Sequence, residues 1–377
     1  KMQQNFFKNR FYNYWINIDR NILFCFILLF FLGLFFSFSS TSSLAGERLD
    51  KDNYFFFTKH LIFMSLSILI MFTISFVDIS ILQKLVFPLF IICLILLFLV
   101  PFIGIEVKGA KRWLSLYYFR LQPVELIKPF FVLVTAKILS SNLRNNKAPN
   151  SLYILSFFIL VTLVILLINQ PDLGQSILII STWIAIVFIS GFSLIYISGI
   201  FLGIATFVSS LVIIFPQKFG YITQRLITFI DPSKGDSFQT EKALEAIRQG
   251  GLKGQGMGEG ILKDSVPEAH TDYIIAIVSE EFGSLLSTFI IFIFIYILFK
   301  IIKNCLKETN ENLKISLCGL ASLLIFQTFI HIGVNTSLLP TTGMTLPFLS
   351  YGGSSLIGSA ILAGVILNYT KNRALNE

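Results

Sequence analysis

Ten apolar runs, each close to the length that crosses a bilayer, constrain this 377-residue chain more than any other feature. A hydrocarbon core takes roughly 20 apolar residues per helix. The runs lie near 21–39, 61–77, 85–103, 124–141, 152–169, 174–191, 194–215, 273–300, 315–333 and 355–369. With 55% hydrophobic and only 13% charged residues, the soluble enzyme classes are excluded. The expected fold class is all-α: a polytopic membrane protein of about ten transmembrane helices, in a single integral-membrane domain over 1–377. A large extracytoplasmic loop covers about 216–272, and a second, re-entrant outer loop follows.

Charge placement sets the topology. With both termini inside, the inner segments carry 14 Lys and Arg against 7 outside, once the long loop is set apart. The net charge of +8 is scattered through loops and is read as topology and contact with membrane lipids, with no nucleic-acid partner. The acids run the other way, with 13 of 21 outside and Glu125, Glu280 and Glu281 inside apolar runs. Four of the outer bases gather at Lys108, Lys111, Arg112 and Arg120, against the charge rule. Chemistry is therefore expected on the outer face. Cys25, Cys93, Cys305 and Cys318 form no CxxC pair, so neither a disulfide framework nor a metal site is expected. An initiator Met is expected to precede Lys1, and the run Ile22–Phe38 is expected to stay as an uncleaved span despite the small residues around Ala45.

Four constellations carry polar groups into this apolar frame. In Lys108-Gly-Ala-Lys-Arg-Trp113, aromatic and aliphatic residues interleave with bases, as in a segment lying at the membrane interface. Gln122-Pro-Val-Glu125-Leu-Ile-Lys128 then opens a helix at Pro123 and sets Glu125 and Lys128 at i and i+3, where they can neutralise each other. This pair reads either as a helix-end ion pair or as the wall of a cationic cavity for a phosphate-bearing lipid. Asn169-Gln-Pro-Asp172-Leu-Gly174 marks a turn, in which capping of the next helix accounts for Asp172.

The long loop is the third. Asp236 to Gln239 resembles a capping box, and the glycine-rich run 250–260 reads as exposed backbone near a ligand or partner, since no strand or GK[ST] makes it a nucleotide loop. It closes on Glu268, His270 and Asp272 at the mouth of a span, where Thr271 and Asp272 serve either as helix caps or as an acid–base group whose pKa burial adjusts. The fourth, Leu339 to Ser355, holds two prolines and several glycines, which no continuous helix tolerates. Irregular backbone at membrane depth needs a protein-covered or cavity-lining site.

Taken together, Lys108-Gly-Ala-Lys-Arg-Trp113, Gln122-Pro-x-Glu125-x-x-Lys128, Gln170-Pro-Asp-Leu-Gly174, Pro267-Glu-Ala-His-Thr-Asp272 and Leu346-Pro-Phe-Leu-Ser-Tyr-Gly-Gly-Ser-Ser355 resemble the SEDS family of membrane proteins. The motifs occur in family order over roughly 105–355. The form of the Asp272 motif, Leu339-Pro-Thr-x-Gly343 and Arg248-Gln-Gly-Gly251 look more like the division branch, FtsW, than the elongation branch, RodA. Val124 and Lys253 depart from residues common there, a Ser and an aromatic, and neither falls on a proposed catalytic group.

The resemblance implies a peptidoglycan glycosyltransferase that polymerises lipid II at the outer face of the bacterial cytoplasmic (inner) membrane, at the division septum. It implies Asp272, Glu125 and Lys128 as catalytic. Lys111, Arg112, Trp113, His270, Glu268, Asp264, Ser350 and Tyr351 are the implied substrate-binding residues. It implies as partners a class B penicillin-binding protein transpeptidase of the FtsI type and other divisome proteins. No cofactor is required by the residues, with a divalent cation such as Mg or Mn left open. The rival expectations are a RodA-type elongation polymerase, a lipid II flippase and a scaffold that only recruits the transpeptidase. The concentration of acids outside favours the enzyme.

Overall fold

The computed structural model describes residues 12–40, 55–107, 109–117, 119–141, 150–231, 233, 237–262, 265–266 and 268–371. The first expected spans are helices α1 (Arg20–Ser40), α2 (Phe55–Phe76) and α3 (Ile79–Ile103). After a small sheet come α4 (Pro123–Ser140), α5 (Asn150–Asn169), α6 (Leu173–Ile189) and α7 (Leu194–Ile214). The long loop contributes α8 (Pro216–Ile230) and α9 (Phe238–Gly250), and α10 (Ile274–Cys305), α11 (Glu311–Asn335) and α12 (Gly353–Tyr369) complete the bundle. Each of the ten runs is thus a helix. Among the described residues six helices are long and apolar enough to cross a membrane, namely α1, α2, α3, α5, α10 and α11, while α6 and α12 are apolar but shorter at 17 residues. The chain is a multi-pass membrane protein.

Helices α4, α11 and α12 form the centre. Nearly every residue of α12 is buried, the mark of a helix surrounded by others. Gly358 lets it touch α4: a Cβ there would overlap the Glu125 carbonyl. At its far end Asn368 donates to the Ile74 and Val77 carbonyls at 2.9 and 2.6 Å, satisfying orphan groups at the end of α2. Helix α2 begins earlier than its apolar run near 61–77 and takes in His60, which is fully buried.

The segment expected to lie along the interface is a three-stranded antiparallel sheet, β1 (Ile105–Val107), β2 (Ala110–Leu116) and β3 (Phe119–Leu121), in the order β1-β2-β3. It sits beside the starts of α4 and α12: the Gln122 amide donates to Ser354 Oγ at 2.9 Å.

The glycine-rich run differs most from expectation. Helix α10 is broken at Gly283, whose φ of 85° suits only glycine. Buried backbone groups freed by such a break need partners. The Glu280 and Glu281 carbonyls accept the amides of Gln255 (2.9 Å) and Gly256 (3.0 Å), and the Ser284 amide donates to Gly251 O at 2.9 Å. The loop's backbone is therefore used on α10 rather than left open to a ligand. Glu280 also accepts the Leu262 amide at 2.7 Å, and Glu281 accepts the Ser39 hydroxyl, which accounts for two acids inside an apolar run. Helix α9 starts at Phe238, with the Ser237 hydroxyl bonded to Glu241; Asp236 of the expected capping box lies outside the described residues.

Candidate functional site

Strand β2 decides which of the clustered bases face the bundle. Successive side chains on a strand point to opposite faces, so Lys111 and Arg112 separate. Lys111 is exposed and lies opposite Glu106, and half-buried Trp113 lies opposite Ile105. Arg112 turns inward, where Nε donates to the Gln170 carbonyl at 3.2 Å and a terminal nitrogen donates to that of Pro171. Its Nε is also 3.8 Å from Asp172 Oδ2. Asp172 caps α6 as expected, Oδ1 accepting from the Gln175 amide at 3.5 Å, but its other oxygen faces the guanidinium. Burial pushes the Asp172 carboxyl up, and Arg112 only partly offsets this. Lys108 and Asp264 lie outside the described residues.

Asp272 is held by its main chain from several sides. Glu268, at a φ of 57°, makes a turn whose carbonyl accepts the amides of Thr271 (3.0 Å) and Asp272 (3.1 Å). Buried Asn335, at the end of α11, donates to the Asp272 carbonyl at 2.9 Å and accepts the Ala276 amide at 3.2 Å. The re-entrant loop is sewn to the same stretch: Ser350 Oγ donates to Thr271 O at 2.6 Å, and the Tyr351 amide donates to His270 O at 2.9 Å. The His270 ring lies 5.5 Å from that of Phe56, which also meets the Tyr351 ring.

The Asp272 carboxylate is partly buried and flanks Gly343 together with Arg112. A Cβ on Gly343 would sit 3.5 Å from Asp272 Oδ2 and 3.9 Å from Arg112 Nη1. A second cation joins them. Arg225, on α8, donates to Thr341 O at 3.0 Å and stands 6.0 Å from the centre of the Tyr221 ring. Burial, and after it the charge of Arg112, lower the Arg225 pKa against the opposing pull of Asp172 and Asp272. The sequence reading did not single out Arg225. Its signal was the amphipathic pattern of α8, in which Phe219, Ile222, Leu226 and Ile230 recur at helical spacing along one face.

A buried polar chain runs inward from this group. Gln175 Nε2 donates to Glu125 Oε1 at 2.7 Å, and Lys128 Nζ bridges Glu125 Oε2 at 2.8 Å and Gln327 Oε1 at 3.0 Å. Gln327 in turn donates to Thr345 O of the re-entrant loop at 3.0 Å. Beside the pair is a small void with room for about one water, lined in part by Glu125, Lys128, Gln327 and Ser359. The i,i+3 pairing was legible in the sequence. Its glutamine partners on α6 and α11 were not.

Carboxylate, guanidinium and hydroxyl groups thus converge at one end of the bundle, where the Asp272 carboxylate lies near two guanidinium groups, an arrangement chemically able to accept a proton and to hold a developing anion. Among the described residues no group of three or more His, Cys, Asp or Glu gathers as a metal site.

A family model described as cell cycle protein, FtsW, RodA and SpoVE, matches residues 19–375. The probable peptidoglycan glycosyltransferase FtsW of Caulobacter vibrioides is 32% identical over 96% of this chain and 91% of its own length. Stage V sporulation protein E of Bacillus subtilis is 33% identical over 92% and 94%. A chain from a solved peptidoglycan synthase complex that coordinates polymerisation and crosslinking superposes with a TM-score of 0.76 at 25% identity, covering 94% of this chain and 97% of that one. The rod shape determining protein RodA of Thermus thermophilus superposes at 0.69 with 24% identity over the same shares, a likeness of fold.

Proposed function

The chain belongs to the FtsW, RodA and SpoVE family of cell cycle proteins, and on that premise we propose that it is a peptidoglycan glycosyltransferase that polymerises lipid II during septal wall synthesis. The observation that carries the reading is the placement of Asp272 beside Arg112 at one end of a membrane bundle, with the two flanking Gly343.

In this reading Asp272 takes the proton from the 4-hydroxyl of the acceptor sugar as that oxygen attacks the anomeric carbon of the donor. The new glycosidic bond forms with inversion, and the bond to undecaprenyl pyrophosphate breaks. Negative charge grows on the departing pyrophosphate, where Arg112 and Arg225 stabilise it more in the transition state than in the ground state. Lys111, exposed on the other face of β2, attracts the lipid-linked substrate at longer range, and Trp113 helps seat the sheet at the membrane surface. Glu125 and Lys128 organise the cavity floor through Gln175 and Gln327. The turn at Glu268, the His270 and Ser350 contacts and the Tyr351 ring hold the Asp272 segment against the bundle, and Asp264 belongs to the same loop.

The reaction faces the outer side of the cytoplasmic membrane, with both termini cytoplasmic. The partner is a class B penicillin-binding protein transpeptidase. Its support is the related synthase complex, which coordinates polymerisation with crosslinking. The test is purified protein, with that partner, given lipid II. Glycan strands from wild type and none from Asp272→Ala are expected, and equal polymerisation by both removes Asp272 from the mechanism. Depletion separates the branches: filamentous cells for a division role, round cells for elongation.

A further inference from the structure

Two buried hydroxyls at the site, Tyr221 Oη and Thr342 Oγ1, stand without a hydrogen-bond partner among the described residues. Folded proteins pair nearly all buried polar atoms, so an unpaired one calls for a physical reason. Here both orphans border the same charges. Tyr221 lies one turn of α8 before Arg225, whose guanidinium stands over its ring and is bonded to Thr341, the neighbour of Thr342. Thr342 itself is packed against Gly174, two residues beyond Asp172: a Cβ on Gly174 would come within 2.8 Å of Thr342 Cβ. The next residue, Gly343, is flanked by Arg112 and Asp272. Arg225 makes its hydrogen bond to a carbonyl and has no ion pair among the described residues, so Asp172 and Asp272 act on it only from beyond contact.

Two donors without acceptors beside a guanidinium that no carboxylate contacts match an anion with several oxygens. We infer that the Tyr221 and Thr342 hydroxyls are substrate-binding groups that complete, with Arg112 and Arg225, a cradle for the diphosphate of a lipid-linked sugar. This rests on the glycosyltransferase reading and names two further residues and the ligand group they touch. Both segments reach the cradle from outside the Asp272 motif, α8 from the long loop and Thr342 from the re-entrant loop. Only a folded chain brings them together.

The experiment uses the full chain with its transpeptidase partner, as wild type, Tyr221→Phe and Thr342→Val. Three quantities are read: thermal stability without ligand, kcat/KM for lipid II, and the stabilisation conferred by undecaprenyl pyrophosphate compared with undecaprenol. Because no protein hydrogen bond is lost, ligand-free stability is expected to stay or rise. A hydrogen bond to a charged group lost only in the complex lowers kcat/KM roughly 10- to 100-fold per hydroxyl, and the pyrophosphate-specific stabilisation shrinks in parallel. Variants within about threefold of wild type with full pyrophosphate response overturn the inference. A fall in ligand-free stability also overturns it, since the hydroxyls then serve the fold through a buried water. If wild type binds the pyrophosphate through both hydroxyls yet makes no glycan, the cradle stands and the enzyme reading fails. If all three proteins polymerise equally, the reading stands and the cradle fails.

Discussion

Replacing Lys128 by Met separates what the buried ion pair does for the fold from what it does for the site. Glu125 and Lys128 are each only 3% exposed, and Lys128 Nζ bridges Glu125 at 2.8 Å and Gln327 at 3.0 Å. Met keeps the length and apolar stem but leaves Glu125 charged in a buried place with Gln175 as its hydrogen-bond donor. Removing one partner of a buried pair costs about 3–5 kcal/mol, whereas replacing both by neutral groups is often close to neutral. Thermal unfolding in detergent should therefore show a large loss for Lys128→Met and recovery of more than half of it in Glu125→Gln/Lys128→Met. Polymerisation of lipid II should remain low in the double variant, because the charges proposed to organise the cavity are gone. A loss of stability below about 1 kcal/mol in the single variant, the value of an exposed pair, would refute the burial argument. Restored polymerisation in the stable double variant would reduce the pair to a helix-end brace.

Four further outcomes are expected. Gly283→Ala should lower stability by at least about 1–3 kcal/mol and expose 250–262 to limited proteolysis, because the φ of 85° and the Leu252 carbonyl leave no room for a Cβ. Asn335→Ala removes the bonds to Asp272 O and the Ala276 amide, and kcat should fall more than KM changes as the proposed base, Asp272, loses its position. Asp172→Asn should raise thermal stability at neutral pH, since the raised carboxyl pKa means that ionised Asp172 opposes folding; the gain should vanish as pH falls through that pKa and the wild-type carboxyl protonates. Arg225→Lys, which keeps charge but loses the planar fork over Tyr221, should weaken lipid II turnover roughly tenfold or more, measured at fixed substrate concentration.

Much of this molecule is legible in the chain because bilayer thickness dictates run length, and each of the ten runs is a helix. What escaped follows from tertiary partners. The sheet was missed because β1 and β3 hold three residues each, and its longest strand, Ala110–Leu116, reads equally well as an interfacial stripe. That error mattered, since strand alternation is what parts Lys111 from Arg112. The Gly250–Gly260 run looked open because its acceptors, the Glu280 and Glu281 carbonyls, exist only once α10 breaks at Gly283. Asp172 was credited with its local cap alone, since its ion pair comes from a strand sixty residues away. Arg225 sits in a loop helix with no motif around it. The i,i+3 pair of Glu125 and Lys128, by contrast, needs only helical spacing and was readable at once.

The central claim is that Asp272 is the base of glycan polymerisation, and Asp272→Asn tests it most directly. The amide keeps the size of the side chain, and the Asn335 and Glu268 contacts that hold this residue go to its main chain, so the fold should persist. With the partner present and the melting temperature matched to wild type, the initial rate of strand formation from lipid II should drop by roughly 10²–10⁴-fold, the usual contribution of a positioned base. A rate within about threefold of wild type, far short of that contribution, would contradict the account.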